Sequence, residues 1–243
     1  MNIIEIEGIV INSFKYKENS EIITVLGENE VYSIICKGSL KLKSKLRILT
    51  DKLTYAKFNI YYKQGKLSTL IDGEIINNFK NIHLDLKRMS YSLFLLDIFN
   101  QITKEDFSNR FYDLLKTALL KINDNINPLV ISDMVLVKLL PFIGLSLNLE
   151  KKCIFCNSPE IYALSIEESA YVCHKCYLST HIKMEKEALD TIYVYQNIPL
   201  HKVTKTSVSD NTIKTIDKFI KLYYETYSGL YLKNMDYLSN LSI

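Results

Sequence analysis

The chain has 243 residues, enough for one large domain or two small ones, and its 48% hydrophobic and 23% charged residues are those of a globular protein, which excludes a disordered polyelectrolyte. A net charge of only +3 gives no blanket attraction to polyanions, so any such partner has to be met by charge concentrated in one segment. The most apolar stretches, Tyr91 to Phe99 and Met134 to Leu145, are too short or too interrupted, by Asp97 and Lys138, to span a bilayer. With no secretory signal, the expectation is a soluble intracellular protein with reduced thiols.

The first 80 residues read as strands. Asn2 to Phe14 alternates in part, Glu21 to Leu26 and Val31 to Cys36 flank a Gly-Glu-Asn-Glu turn, and Leu53 to Tyr62 and Leu67 to Ile76 bracket a Gln-Gly turn. About five short strands without a long helix predict a small closed barrel of the OB type, a fold that holds single-stranded nucleic acid by charge and stacking. Between Lys37 and Lys66 stand nine bases against one acid, Asp51, a local balance of +8, so the rest of the chain is acidic. A lysine-rich composition alone would spread this charge; its concentration is what phosphate neutralisation requires. The segment leaves a strand, crosses Gly38 to Leu46 with Lys37, Lys41, Lys43, Lys45 and Arg47, and enters a strand bearing Tyr55, Phe58, Tyr61 and Tyr62. Most of those aromatics are expected in the core, since strand aromatics usually pack.

After residue 80 the apolar period becomes helical, over His83 to Thr103 and Lys104 to Ile122. Asn127-Pro128 reads as an N-cap followed by proline at the first helical position. The helix from Pro128 to about Gly144 is apolar nearly all round and is expected at the buried centre of a second domain, with Pro141 kinking it or marking its last turn. Met184 to Gln196 and Asp210 to Tyr227 resume the pattern, the latter with Ile213, Ile216, Ile220, Tyr223 and Tyr227 on one stripe. The expected organisation is α+β: a barrel over 1–80, then a helical domain over 81–243.

Within that second domain, at 149–180, Cys153, Cys156, Cys173 and Cys176 form C-x2-C-x16-C-x2-C. Each pair sits on one tight turn, and the intervening residues suffice for a hairpin that completes a tetrahedron, so the spacing predicts one bound Zn2+. Four thiolates leave no coordination position open, which makes the metal structural. A zinc deaminase needs an H-x-E arm, and His174 is followed by Lys175 and Cys176 instead. His174 is read as a neighbour of the site, and two disulfides are the less favoured alternative.

Four segments, in order, resemble the RecO family of bacterial DNA repair and recombination mediators over essentially the whole chain. They are Glu7-Gly8-Ile9-Val10 with Tyr16-Lys17-Glu18; Cys36-Lys37-Gly38-Ser39 before the basic loop; Cys153 to Cys176 after a Gly144-Leu145 helix end; and Tyr223 to Gly229. The resemblance implies a protein that is not an enzyme. It implies binding to single- and double-stranded DNA, annealing of complementary strands, and work with RecR and the C-terminal tail of the single-strand-binding protein to help load RecA. It also implies a bacterial, cytoplasmic, nucleoid-associated setting, away from membranes. An acidic tail ending in an aromatic asks for an apolar pocket beside a cation, for which the helix Pro128 to Gly144 and its surroundings are the candidate.

The sequence departs from the family pattern after Lys37-Gly38, where paired arginines are common and Ser39 and Leu40 stand; Lys17 likewise replaces a small residue. Lysine keeps the charge and loses the bidentate fork, so salt should weaken binding more. Two rival readings are a zinc-ribbon or transcription-type protein and a metal-dependent hydrolase. The first would contact nucleic acid through the metal hairpin, yet Asn157 to Val172 holds Glu160, Glu167 and Glu168 and no base; the second would need an open metal site.

Overall fold

Five strands occupy the N-terminal third of the computed structural model, which describes residues 2–205 and 207–231. These are β1 (Asn2–Tyr16), β2 (Ser20–Gly27), β3 (Val31–Cys36), β4 (Tyr55–Tyr62) and β5 (Ser68–Asn77). They close in the order β1-β2-β3-β5-β4. Closure is made by a short parallel pairing of Ile34 with Ser68 and Ile35 with Thr69. β1 is long enough to serve two neighbours: its first half pairs with β4, from Asn2 opposite Tyr62 to Ile9 opposite Tyr55, and its second half with β2. A register shift between Val10 and Asn12 bends it from one partner to the other.

Alternation sets the inside of the barrel. Ile6, Val10, Ile23, Val25, Ile34, Phe58, Ile60 and Leu70 are buried together. Gly73 stands opposite Phe58, where a Cβ would come 2.5 Å from the Lys57 carbonyl oxygen, so only hydrogen fits. Cys36 belongs to this core, and burial first, then Glu21, pushes its thiol up to about 12. It is a packing residue, which accounts for a fifth cysteine outside the four-cysteine pattern.

Three helices follow: α1 (Lys80–His83), α2 (Leu86–Glu105) and α3 (Arg110–Asn123). α2 begins where the Asp85 carboxylate accepts the Arg88 N–H at 2.8 Å, satisfying a donor that the first turn leaves open. The described chain forms two compact units, one up to Asn125 and one from Ile126, so α1 to α3 share a unit with the barrel. The change from strand to helix falls between Asn77 and Lys80.

The second unit is built on α4 (Pro128–Leu139), α5 (Lys186–Asn197) and α6 (Asp210–Tyr227). Asn127 caps α4 by accepting the Leu129 N–H at 3.1 Å, with Pro128 where its missing donor costs nothing. Every α4 residue except Lys138 is buried. Pro141 lies in the 3-10 turn Leu140–Ile143 that ends this helix, and Gly144 closes it at φ +75°. On α6, Ile213, Ile216, Ile220 and Tyr223 are buried as the stripe requires, while Tyr227 is 42% exposed and leaves it.

This unit is not all-helical. A three-stranded sheet, β7-β6-β8, is formed by β6 (Ile161–Ser165), β7 (Ala170–Cys173) and β8 (Ile182–Lys183). β6 and β7 make the expected hairpin; the two residues of β8 are too few to show a period, so the third strand is silent in the sequence.

Candidate metal centre and nucleic-acid interface

The four cysteines converge. Cys153 begins a turn in which its carbonyl accepts the Asn157 N–H at 2.9 Å and its own N–H donates to the Ser158 carbonyl at 2.8 Å, with Asn157 in the left-handed region at φ +58°. Cys173 ends β7, and Cys176 follows on the 3-10 turn His174–Cys176. The Ile154 N–H donates to the Tyr171 carbonyl at 2.9 Å, tying the first turn to the hairpin.

The four sulfurs lie within 4.8 Å of one another, and Cys156 Sγ is 3.5 Å from Cys173 Sγ. A tetrahedron with metal–sulfur bonds of about 2.3 Å has edges of about 3.8 Å, so the four sulfurs suit Zn2+ with shifts of about 1 Å or less. Electrostatics agree. Burial raises the Cys153 thiol, but backbone hydrogen bonds from Cys173, Cys156 and Phe155 outweigh it and bring it down to about 6. The hydrogen bond to Cys156, then burial and the remaining sulfurs, push Cys176 up to about 12. Thiolates packed this closely repel one another, and a bound cation would relieve that repulsion.

His174 is outside this set; its exposed ring meets Tyr162 edge-on at 4.8 Å. The histidine built into the module is His181, which sequence reading passed over. It is buried, its Nδ1 accepts the Leu178 N–H at 3.0 Å, and the Phe155 ring stacks on it. Glu160, Glu167 and Glu168 of the hairpin are all exposed, so this edge of the module repels phosphate.

The basic segment occupies the connection between β3 and β4. Lys37, Lys41, Lys43, Lys45 and Arg47 are all exposed, and none forms an ion pair among the described residues. Gly38, at φ +74°, turns the chain out of β3, and its N–H donates to Ser20 Oγ at 3.3 Å; the Leu40 N–H donates to the Asn19 carbonyl at 3.3 Å. These bonds tie the connection to the β1–β2 turn, which brings up Lys17, itself in the left-handed region at φ +57°. Two bases of the same run are engaged elsewhere, Lys52 with Asp97 at 3.4 Å and Lys57 with Glu5 at 3.2 Å. Lys63 and Lys66 belong to the β4–β5 turn, at the other end of the barrel.

Of the aromatics, Phe58 is in the barrel core and Tyr55 is buried with its hydroxyl donated to Glu7. Tyr62 donates to Glu30 at 3.1 Å. Tyr61, 41% exposed, is the one of the four that offers a ring to solvent.

The family model of the recombination protein O N terminal matches residues 1–79, and that of the recombination protein O C terminal matches residues 83–236. The chain belongs to the RecO family. Among curated proteins it is similar to the DNA repair protein RecO of Halalkalibacterium halodurans, 29% identical over 240 residues, with 97% of this chain and 94% of that one covered. Similar, too, are the RecO proteins of Bacillus velezensis, 29% identical, and Bacillus subtilis, 27% identical, each with 97% of this chain and 93% of the relative covered. Membership places the chain among the mediators of DNA repair and recombination. The junction of the two RecO models coincides with the change from strand to helix, and no described helix is long and apolar enough to cross a membrane.

Proposed function

We propose that this chain is a non-enzymatic mediator that anneals complementary DNA strands and, with RecR, helps RecA replace the single-strand-binding protein. The observation that carries the reading is the connection from Lys37 to Arg47, five cations without a carboxylate partner among the described residues, at one end of a small barrel. We assign OB character to that barrel, with residues 1–80 as the nucleic-acid-binding part and 81–243 as the helical part. Two like-charged strands meet only when their phosphates are screened, and unpaired cations on a pinned connection supply that screening. Cys153, Cys156, Cys173 and Cys176 hold one structural Zn2+, which supplies folding energy to the second unit and takes no part in chemistry.

The tail of the single-strand-binding protein remains assigned to the second unit, on the elements around α4. α4 itself is buried, and its Lys138 amine donates to the Gln196 carbonyl at 3.2 Å. The exposed apolar side chains of that unit nearest in sequence to this contact are Tyr193, Val194 and Ile198.

Strand annealing by the purified chain, on bare strands and on strands coated with single-strand-binding protein, tests the reading. Acceleration on both, with RecR and RecA added for the loading step, is the expected result. Annealing no faster than the spontaneous rate on either substrate overturns it.

A further inference from the structure

The barrel unit contains a cleft of about 380 Å³ between the end of the basic connection and the start of the helices. Its walls are apolar: Ile48, Leu53, Ile75 and Leu84. Its rim carries Asp51, Asn78, Lys80 and His83, and none of these four side chains makes a hydrogen bond or ion pair among the described residues. Two residues at this place hold an unusual backbone: Leu53, which lines the cleft, at φ +71°, and Phe79, between Asn78 and Lys80, at φ +45°. Both are buried and neither is glycine. Backbone strain of this kind is kept where the surroundings over-determine it, and it gathers at ligand sites.

Apolar walls with a few polar groups at the edge are the make-up of a small-ligand site, and the volume suits one planar heterocycle with its sugar. The cleft also continues the phosphate-binding segment, since Ile48 follows Arg47 within the 3-10 turn Arg47–Leu49. We propose that it takes one unstacked base of a DNA single strand whose phosphates lie along Lys37 to Arg47. The proposal rests on the DNA-binding reading of that connection.

The rim decides for a base over an acidic peptide. Asp51 accepts hydrogen bonds and repels carboxylates, whereas a base edge presents N–H donors to it. Asn78 both donates and accepts, and Lys80 is placed to meet phosphate or a ring acceptor. A base in a duplex has that edge already paired, so the cleft favours single strands over duplex and gives the cation cluster a preference it cannot supply itself.

The experiment compares the full chain with an Ile48→Ser, Leu84→Ser double variant, whose sites are 59% and 75% exposed and hence tolerant, and with Asn78→Ala. Each is titrated with a short oligonucleotide and with the same strand carrying central abasic sites. Expected on the base-bearing strand is a loss of about fivefold, from apolar contact withdrawn in the double variant and from hydrogen bonds withdrawn in Asn78→Ala, with an unchanged logarithmic salt slope. The abasic strand should bind parent and variants alike. A parent indifferent to base removal, or variants with parental affinity, overturns the cleft assignment alone. A parent without single-strand affinity overturns the DNA-binding reading as well. An acidic, apolar peptide that binds the parent and is lost in Leu84→Ser, with strand binding unaltered, reassigns the cleft to a protein partner and overturns the proposal.

Discussion

Glu7 on β1 accepts the Tyr112 hydroxyl of α3 at 2.6 Å, joining the barrel to a helix more than a hundred residues along the chain. The same Oε1 accepts the Tyr55 hydroxyl and, at 3.3 Å, the Lys116 amine, whose charge lies over both tyrosine rings. The hydrogen bonds from Tyr112 and Tyr55 hold the Glu7 carboxyl below its ordinary 4.5; burial opposes them and Lys116 adds to them. Because the folded-state value is depressed, the contribution of Glu7 is fully present above the unfolded value and is lost as pH falls through the folded one. Glu7→Ala should cost the barrel unit about 2 kcal/mol at neutral pH, since it strands two tyrosine hydroxyls. In Tyr112→Phe the same change should cost less. A denaturant double-mutant cycle showing strict additivity would remove this contact from the account of how α3 docks.

The cysteine site predicts one zinc per chain. Replacing Cys153 or Cys173 by serine removes a ligand that lies fully or almost fully buried against Val172, so the variant should lose the metal and its second unit should exchange amide hydrogens far faster. The barrel unit has its own core and should keep its protection. Elemental analysis without metal in protein purified free of chelator, or a Cys153→Ser variant of parental stability, would refute the structural zinc.

The strands, the helices and the clustering of the four cysteines were legible because each rests on a short-range rule: a period of two, a period near 3.6, and a pair spacing that puts two cysteines on one turn. Docking was not. The period after residue 80 identifies α2 and α3 but says nothing of their partner, which Glu7, Tyr55 and Tyr112 settle across long stretches of chain. The same limit hid His181, whose role needs Leu178 and Phe155 brought round by the cysteine turns, and β8, too short to alternate. Most of the four aromatics of β4 are expected in the core, but the sequence does not say which; the register against β1 and β5 shows that Tyr55 and Phe58 are among the buried ones.

Asp133 predicts a pH dependence of the second unit. It is buried on α4 with Oδ2 unpartnered among the described residues, near Asp217, which accepts from Lys221 at 2.7 Å on α6, and near the buried Tyr195 of α5. Burial, then the Asp217 charge, raises its carboxyl well above the ordinary 3.8, with Lys221 opposing. An acid whose folded value is raised contributes stability below its unfolded value and loses it as pH rises toward the folded one. Melting of the second unit should therefore fall from acidic to neutral pH, and Asp133→Asn should flatten that fall and melt higher than the parent at neutral pH. Parallel profiles for the two proteins would show that Asp133 does not titrate there.

The cation cluster carries the most direct prediction about DNA. Lys41, Lys43 and Lys45 are exposed and form no ion pair among the described residues, so each that touches a phosphate releases counterions on binding. For single strands the logarithmic salt slope is about 0.7 per phosphate neutralised, so changing all three to glutamine should lower it by about two. Annealing should fall with it, because the screening of a second strand is lost along with the grip on the first. Single replacements should each do little, since neighbouring lysines on a turn-rich connection can shift to a vacated phosphate. Lys52→Gln and Lys57→Gln serve as controls: both cations already have carboxylate partners, Asp97 and Glu5, and should leave the slope nearly unchanged. A triple variant with parental affinity and slope, zinc content and melting intact, would move the DNA site off this connection.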